Sequence, residues 1–157
     1  MKNNLGFTLI ELIVVMSITL TLLAVTSILL LGPQESSELE GAYQSILADL
    51  NQQRSRAMLL DTGGDDAIAA YGVYFQNQSY VLFRGLAYVA DDINNHTITL
   101  SNSVNLIDVS WPNSTIVFAA GSGEVISFSS GTNTLSVASV TAPDSRVITL
   151  NRYGSTQ

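Results

Sequence analysis

Hydrophobic residues run almost without interruption through residues 7–31, in which Glu11 is the one charged side chain. As an α-helix this run would be about 37 Å long, whereas the hydrocarbon core of a bilayer is about 30 Å thick. The run therefore predicts a membrane-spanning helix with some tilt. A secretory signal peptide would have a shorter apolar run and a small-x-small cleavage site. Gly32 and Pro33 are expected to kink or break the helix.

A second helical pattern covers residues 35–60. Apolar side chains recur at i, i+3, i+4 and i+7, and Gln53 is the one polar gap in their stripe. Ser36 or Ser37 is the predicted N-cap, and the Asp-Thr-Gly-Gly sequence at residues 61–64 is the predicted stop. We expect the stripe to pack on a sheet; it consists of Leu39, Tyr43, Ile46, Leu47, Leu50 and Ala57.

Beyond Gly64 the pattern changes to short alternating runs separated by turn residues, which is typical of strands. The predicted fold class is α+β, with a long N-terminal helix packed on a C-terminal antiparallel, β-rich and sandwich-like domain. The predicted strands are Tyr71–Phe75, Tyr80–Arg84, Thr97–Leu100, Val104–Val109, Ile116–Ala119, Val125–Phe128, Leu135–Ser139 and Arg146–Asn151.

Charge is distributed unevenly along the chain. Its 157 residues carry a formal net charge of −7, and Lys2 and Glu11 are the only charged residues before Glu35. With no cysteine and one histidine, the chain excludes a disulfide framework, thiol catalysis and a histidine cluster for metal. A sequence pI near 4.3 argues against nucleic acid as a general partner, because such binding needs clustered Lys and Arg.

Glu11 is the exception in the apolar run. An acidic side chain costs about 2.5–3.5 kcal/mol at the centre of a membrane helix and less near the interface. Glu11 is therefore either a tolerated charge at headgroup level or the partner of a cation in the membrane. Lys2, the only base before the run, favours a cytoplasmic position for residues 1–6 and an outside position for residues 34–157.

The sequence Gly6-Phe7-Thr8-Leu9-Ile10-Glu11, followed by Leu-Ile-Val-Val-Met, resembles the class III prepilin leader of type IV pilins and type II secretion pseudopilins. The resemblance implies that prepilin peptidase cuts after Gly6, that Phe7 is then N-methylated, and that Glu11 acts in assembly. It also implies four segments: a cleaved leader at 1–6, a transmembrane and filament-core helix at 7–31, an amphipathic continuation at 32–62 and a β-rich globular domain at 63–157.

Cleavage would leave an ammonium group on Phe7, and the Glu11 carboxylate then has two candidate partners. Its own amine lies at i, i+4 helical spacing. The resemblance implies instead the amine of a neighbouring subunit, in a pair that sets the axial register of the filament. An unpaired carboxylate is costly in a low dielectric, so pairing can enforce register.

Other parts of the chain are similar to the GspH/FimT minor pseudopilin subfamily. Residues 49–58 resemble its helix, residues 71–83 resemble its first hairpin, and residues 146–154 resemble its last strand. Major pilins of many bacteria carry a C-terminal disulfide, so a chain without cysteine favours a minor pilin or pseudopilin.

Catalytic and metal-binding patterns are weak. His96 stands beside Asn95 and Thr97 and is interpreted as a solvated residue at a strand end. Adjacent residues of a strand point to opposite sides, so the pairs at residues 65–66 and 91–92 are poor catalytic dyads. Asp91 and Asp92, with Asn94 and Asn95, offer oxygen ligands for Ca²⁺ but no complete ligand loop. We predict no enzyme, no metal and no cofactor.

DNA uptake is an alternative function, because some members of the FimT branch bind DNA through a basic C-terminal segment. Here that segment supplies Arg146, Arg152 and Tyr153, whose ring offers a stacking surface for a base. The acidic charge of the domain would oppose long-range steering of DNA.

The expected function is that of a minor pilin or pseudopilin, a structural subunit of a type IV pilus-like or type II secretion filament. The expected partners are prepilin peptidase, other pilins or pseudopilins, the inner-membrane assembly platform and membrane lipid. The chain would cross the bacterial inner membrane once, with its C-terminal domain periplasmic or extracellular. The competing class is a membrane-tethered binding module that never polymerises, in which the acid at Glu11 would have no purpose.

Overall fold

The computed structural model describes residues 8–29, 31–64 and 67–156. The chain forms two compact units, Met1–Glu35 and Ser36–Gln157. The first unit contains helix α1, Leu9–Leu29, and helix α2, Leu31–Met58, extends into the second. The described strands all belong to the second unit.

Helix α1 consists of aliphatic residues with a few small hydroxyl residues and Glu11 in its first turn. Across the described part of the chain, we find no helix whose length and hydropathy together suffice for a membrane crossing. The predicted membrane-spanning segment, residues 7–31, includes Phe7 and Leu30, which lie outside the described residues.

Helix α2 begins earlier than its capping signals predicted. It starts at Leu31, so Ser36 and Ser37 lie inside the helix, and their assignment as N-cap was wrong. Gly32 and Pro33 fall in the first turn. Proline is compatible with that turn because the N–H group it lacks would have no helical acceptor there.

From Leu39 onward α2 buries most of the predicted stripe, and Tyr43 and Leu47 are partly buried. Leu39, Ile46, Leu50 and Ala57 are buried, and the polar residue in the stripe, Gln53, is buried with them. This confirms the helical periodicity of the segment. The burial of each large aliphatic side chain stabilises the fold by about 1.5–3 kcal/mol.

Helix α2 ends at Met58, just before the predicted end. Leu60 has a left-handed φ of 56°, and the Asp61 N–H donates to the Arg56 carbonyl at 3.0 Å. A left-handed residue after the last turn turns the chain back toward the helix and satisfies one of its final carbonyls. The predicted stop sequence therefore lies where the chain leaves the helix.

Two antiparallel sheets follow α2. Their strands are β1 Tyr71–Phe75, β2 Ser79–Arg84, β3 His96–Thr99, β4 Val104–Ile107, β5 Thr115–Phe118, β6 Thr134–Ser139 and β7 Ser145–Thr149. The first sheet has the order β3-β2-β1-β5 and the second the order β4-β6-β7. In the first sheet Tyr71 lies opposite Arg84 on one side and Phe118 on the other.

One predicted strand, Val125–Phe128, was wrong. The segment makes a single bridge to the first sheet, between Val125 and Phe118, and then departs from extended backbone at Ser127, whose φ is 58°. An alternating apolar pattern predicts which side chains face the core, but a left-handed residue in its middle ends the ladder.

The main core lies between α2 and the inner faces of both sheets, which confirms the α+β fold class. Alternate residues of β1, such as Val73 and Phe75, enter this core. The other face of the first sheet forms a smaller cluster, with Phe83 and Val117 at its centre and Tyr88 packed over them. The first sheet is thus covered on both faces by residues of the second unit.

Candidate functional site

Thr8 and Glu11 form a reciprocal capping box at the start of α1. The Thr8 N–H and hydroxyl donate to Glu11 Oε2 at 3.0 and 2.8 Å, and the Glu11 N–H donates to Thr8 Oγ1 at 3.3 Å. The arrangement satisfies N–H groups that have no partner within the helix. The carboxylate therefore has a local partner, which sequence reasoning missed although Thr-x-x-Glu before an apolar run is the signature of this motif.

Between Leu12 and Ala24, α1 carries aliphatic side chains on every side, with three small hydroxyl residues among them. Its large aliphatic side chains are exposed in the structure, from 50% for Val14 to 78% for Leu9. The sequence has no acidic or basic residue between Leu12 and Ala24. A helix that is hydrophobic all round is typical of a segment buried in lipid or among other helices.

Three hydroxyl groups of α1, within the part whose side chains the structure describes, are bonded inside the helix. Ser17 donates to the Ile13 carbonyl at 2.8 Å, Thr21 donates to the Ser17 carbonyl at 2.7 Å, and Thr19 donates to the Val15 carbonyl. Each acceptor lies one turn earlier on the same helix. These polar atoms therefore need no partner from outside α1.

The other predicted residues of this site lie outside the described residues. Gly6 and Phe7, predicted for cleavage and N-methylation, precede Thr8, the first described residue, and so does Lys2. Their roles stay predictions from the sequence.

The two arginines predicted for DNA contact are accompanied by carboxylates. Arg146 Nη1 lies 2.7 Å from Asp144 Oδ1, and its Nε lies 3.7 Å from Glu40 Oε2. Arg152 Nη2 lies 3.7 Å from Glu124 Oε2. Each guanidinium thus has an acidic neighbour that a phosphate would have to displace.

The third predicted DNA contact, Tyr153, directly follows Arg152 in the turn after β7. Its side chain is 62% exposed, which leaves part of its ring accessible to a base. One ring beside a neutralised arginine is a small surface compared with the basic grooves that bind single strands.

Asp91 and Asp92, the second acidic pair, lie in the β2–β3 loop, and Asp92 is hydrogen-bonded within that loop. Asp92 Oδ1 accepts the Asn94 N–H at 2.8 Å and the Asn94 Nδ2 at 3.1 Å, which closes a turn. His96 begins β3 and is exposed, as predicted for a strand-end residue. Within the described ranges no three His, Asp or Glu side chains gather to hold a metal ion. The pair at residues 65–66 lies outside those ranges.

A polar cluster after α2 was not foreseen as a unit. Arg56 Nε donates to Asp61 Oδ2 at 2.7 Å, and the Gly63 N–H donates to Asp61 Oδ1 at 2.9 Å. These two hydrogen bonds, first that of Gly63 and then that of Arg56, lower the pKa of Asp61. The guanidinium also lies 4.6 Å from the ring centre of Tyr71, whose hydroxyl donates to the Asp61 carbonyl at 3.0 Å. The cluster fixes the connection from α2 to β1.

Comparison with known families gives one match at the N-terminus. Residues 1–32 match the family described as the Prokaryotic N-terminal methylation motif. The match includes the Gly6-Phe7 sequence, the whole of α1 and the first two residues of α2. A search of curated protein sequences found no match.

Comparison with solved structures gives a fold match. The chain is similar to the crystal structure of the minor pseudopilin EpsH from the type II secretion system of Vibrio cholerae, with a TM-score of 0.50 and 18% sequence identity. The alignment covers 77% of this chain and 92% of that chain. The predicted resemblance to pilins and pseudopilins is thus confirmed by a motif at the N-terminus and by a shared fold. That family consists of structural proteins and is not a family of enzymes.

Proposed function

We propose that this chain is a minor pilin or pseudopilin, a structural subunit of a type IV pilus-like or type II secretion filament. The observation that carries the proposal is that the match to the methylation motif, residues 1–32, contains a helix, α1, with an exposed apolar surface. A large aliphatic side chain left in water forgoes about 1.5–3 kcal/mol of burial energy. Helix α1 therefore requires an apolar environment, which lipid and then neighbouring filament helices would supply.

The N-terminal segment has the parts that processing requires. Lys2 would hold the six-residue leader at the cytoplasmic face, and prepilin peptidase would cut between Gly6 and Phe7. The same enzyme would methylate the new amine on Phe7. That amine would then stand one residue before the Thr8–Glu11 capping box.

The capping box supports a role for Glu11 in assembly. Its hydrogen bonds to Thr8 keep the carboxylate partnered in a single subunit. The Phe7 ammonium of a neighbouring subunit would be a stronger partner, because it would add the attraction between two opposite full charges in a low dielectric to a hydrogen bond. The exchange of a local partner for an intersubunit one would set the axial register.

The proposed location follows from the same features. Helix α1 would anchor the chain in the bacterial inner membrane, with residues 1–6 cytoplasmic and the Ser36–Gln157 unit on the outer side. Its partners would be prepilin peptidase, the assembly platform and other pilins or pseudopilins. Acidic neighbours at Arg146 and Arg152 weigh against the DNA-uptake alternative.

The test is expression of the full chain with a prepilin peptidase in bacterial membranes, followed by mass spectrometry of its N-terminus. We expect a chain that begins at Phe7 and carries one added methyl group. Gly6→Leu should leave the precursor uncut, because a bulky side chain blocks the position before the cleaved bond. Asn3→Leu, a matched bulky change within the leader, should be processed normally.

Two results would contradict the proposal. Normal processing of Gly6→Leu would remove the cleavage assignment. The second result concerns cysteines introduced into α1 of a processed chain, in the presence of a complete pilus or secretion assembly system. If these cysteines never form crosslinks between subunits, the chain is a tethered module that does not polymerise.

A further inference from the structure

An open groove of about 500 Å³ lies on the first sheet, on the face opposite α2. The sheet contributes Tyr74 from β1 and Thr115 from β5. The β2–β3 loop contributes Tyr88, and the segments on either side of β5 contribute Trp111, Asn113 and Ser127. The volume is within the range of sites that hold small ligands.

Aromatic rings form the wall of this groove. Tyr74 and Tyr88 are stacked, with ring centres 4.3 Å apart and planes 13° apart. Phe83 supports Tyr88 from its edge, with ring centres 5.9 Å apart. Trp111 is buried beside the groove and packs near Phe128. The rings are therefore held in place before any ligand arrives.

The polar part of the lining depends on unusual backbone. Asn113 and Ser127 line the groove with left-handed φ angles of 54° and 58°, and Ser114 next to the first has 52°. A non-glycine residue in this region costs on the order of 1 kcal/mol or more and persists only where its surroundings impose it. These turns bring Asn113 and Ser127, both exposed, to the lining of the groove.

The lining carries no acidic or basic side chain, although the whole chain has a net charge of −7. A charged ligand would find no counter-ion in it. The aromatic faces are electron-rich and attract C–H groups, while the amide and hydroxyls offer hydrogen bonds. We propose that this groove binds a neutral carbohydrate, with the C–H face of one sugar ring on the tyrosine pair and its hydroxyls bonded to Asn113 and Ser127.

An extended peptide fits this place less well than a sugar. A peptide strand would need the free edge of β5, but residues after that strand already occupy it. The Ile126 N–H donates to the Val117 carbonyl at 2.8 Å, and the Ala119 N–H donates to the Glu124 carbonyl at 2.8 Å. The sheet therefore offers its side chains at the groove and not its backbone.

The test is a titration of the full chain in phosphocholine micelles, since glycoside detergents would compete. The probes are maltose, cellobiose, lactose and N,N′-diacetylchitobiose. Trp111 is the only tryptophan of the chain, so its fluorescence reports on the groove, and saturation-transfer NMR identifies the sugar protons in contact. We expect at least one disaccharide to bind with a Kd of about 0.1–1 mM.

Asn113→Gly removes the amide but suits the left-handed backbone, and Tyr88→Leu removes one ring of the stacked pair. Each should weaken binding by about tenfold or more, whereas Tyr153→Leu, an exposed ring outside the groove, should leave the Kd unchanged. Binding that is unaffected by Asn113→Gly in a folded chain would overturn the proposal. So would the failure of all four sugars to bind at about 10 mM, a concentration well above the expected Kd.

Discussion

The phenol hydroxyl of Tyr80 donates a 2.5 Å hydrogen bond to Oδ2 of Asp49 and so ties β2 to α2. The Tyr80 side chain is fully buried beneath the helix. Burial is the main cause, and the hydrogen bond to Asp49 the second, of a pKa of Tyr80 that is raised above its ordinary value. The folded state thus favours the protonated phenol, which can donate.

This raised pKa predicts a loss of stability at alkaline pH. The folded chain retains a proton on Tyr80 that the unfolded chain releases near pH 10, so the free energy of unfolding should be unaffected below about pH 10 and fall above it. Tyr80→Phe should cost about 1–3 kcal/mol at pH 8 and flatten the alkaline decline in urea titrations. Tyr153→Phe is the control. If the free energy of unfolding of Tyr80→Phe fell at alkaline pH as steeply as that of the parent chain, the decline would be due to other groups.

The lowered pKa of Asp61 predicts a loss of stability at acid pH. Its pKa is lowered in the folded state, so its contribution to stability is complete above the unfolded value of about 3.9 and disappears as the pH falls through the folded value. Asp61→Asn should lower the Tm at pH 7 and reduce the difference in Tm between pH 7 and pH 3. Asp108→Asn, a carboxylate in the β4–β5 connection, is the comparison. Parallel Tm profiles for Asp61→Asn and the parent chain would refute the prediction.

Gly72 is required by close packing within the first sheet. A Cβ at this position would lie 2.7 Å from the Ile116 carbonyl oxygen and against the Phe83 ring. Gly72→Ala should therefore destabilise the fold by about 1–3 kcal/mol in urea unfolding. Gly41→Ala, on α2 with open space around it, should instead be stabilising by about 0.5–1 kcal/mol. Equal effects of the two changes would contradict the packing argument.

At Gln53 we predict a substitution that does not destabilise the fold. The side chain is 2% exposed and its Oε1 has no hydrogen-bond partner among the described residues. A buried polar atom without a partner costs about 1–3 kcal/mol. Gln53→Met keeps the volume and should leave the Tm unchanged or raise it, whereas Gln53→Ala should lower it through the cavity it creates. A marked loss of stability in Gln53→Met would reveal a partner that matters.

Glu11→Ala is expected to separate processing from assembly. The variant should still be inserted and cut, but its incorporation into filaments should fall by about tenfold or more, because the loss of one partner of an ion pair in a low dielectric costs about 3–5 kcal/mol. Thr8→Val, which removes only the local hydroxyl partner, should assemble. Quantitative immunoblots of sheared filaments measure both. Incorporation of Glu11→Ala at the parent level would show that the carboxylate has no register role.

The first hairpin illustrates how far local pattern predicts this fold. Residues 71–75 are aromatic or aliphatic except for one glycine, and their strand has the predicted bounds. The buried stripe of α2 could also be predicted from the sequence, because it follows from a single helical periodicity. The start of α2 could not, because Ser36 and Ser37 are good caps that the helix passes over once Pro33 can occupy the first turn. Local capping preference there was weaker than continued helical propensity.

The site was predictable where its residues are adjacent and unpredictable where they are not. Glu11 stands in a contiguous motif, so a role in assembly could be predicted for it from the sequence, whereas its hydrogen bonds to Thr8 were missed. The groove on the first sheet brings together Tyr74, Tyr88 and Trp111, which are separated along the chain by strands β2, β3 and β4 and their connections. Their proximity follows from strand order and from the left-handed residues beside β5, and neither follows from composition.

The internally bonded hydroxyls of α1 have a consequence for movement between two apolar phases. Ser17, Thr19 and Thr21 take their acceptors with them, so transfer of the helix from lipid to a bundle of helices would break none of their hydrogen bonds. The reverse transfer would be equally free of that cost. Over residues 9–24, the part of α1 whose side chains the structure describes, exchange would then be governed by packing and by one carboxylate, Glu11.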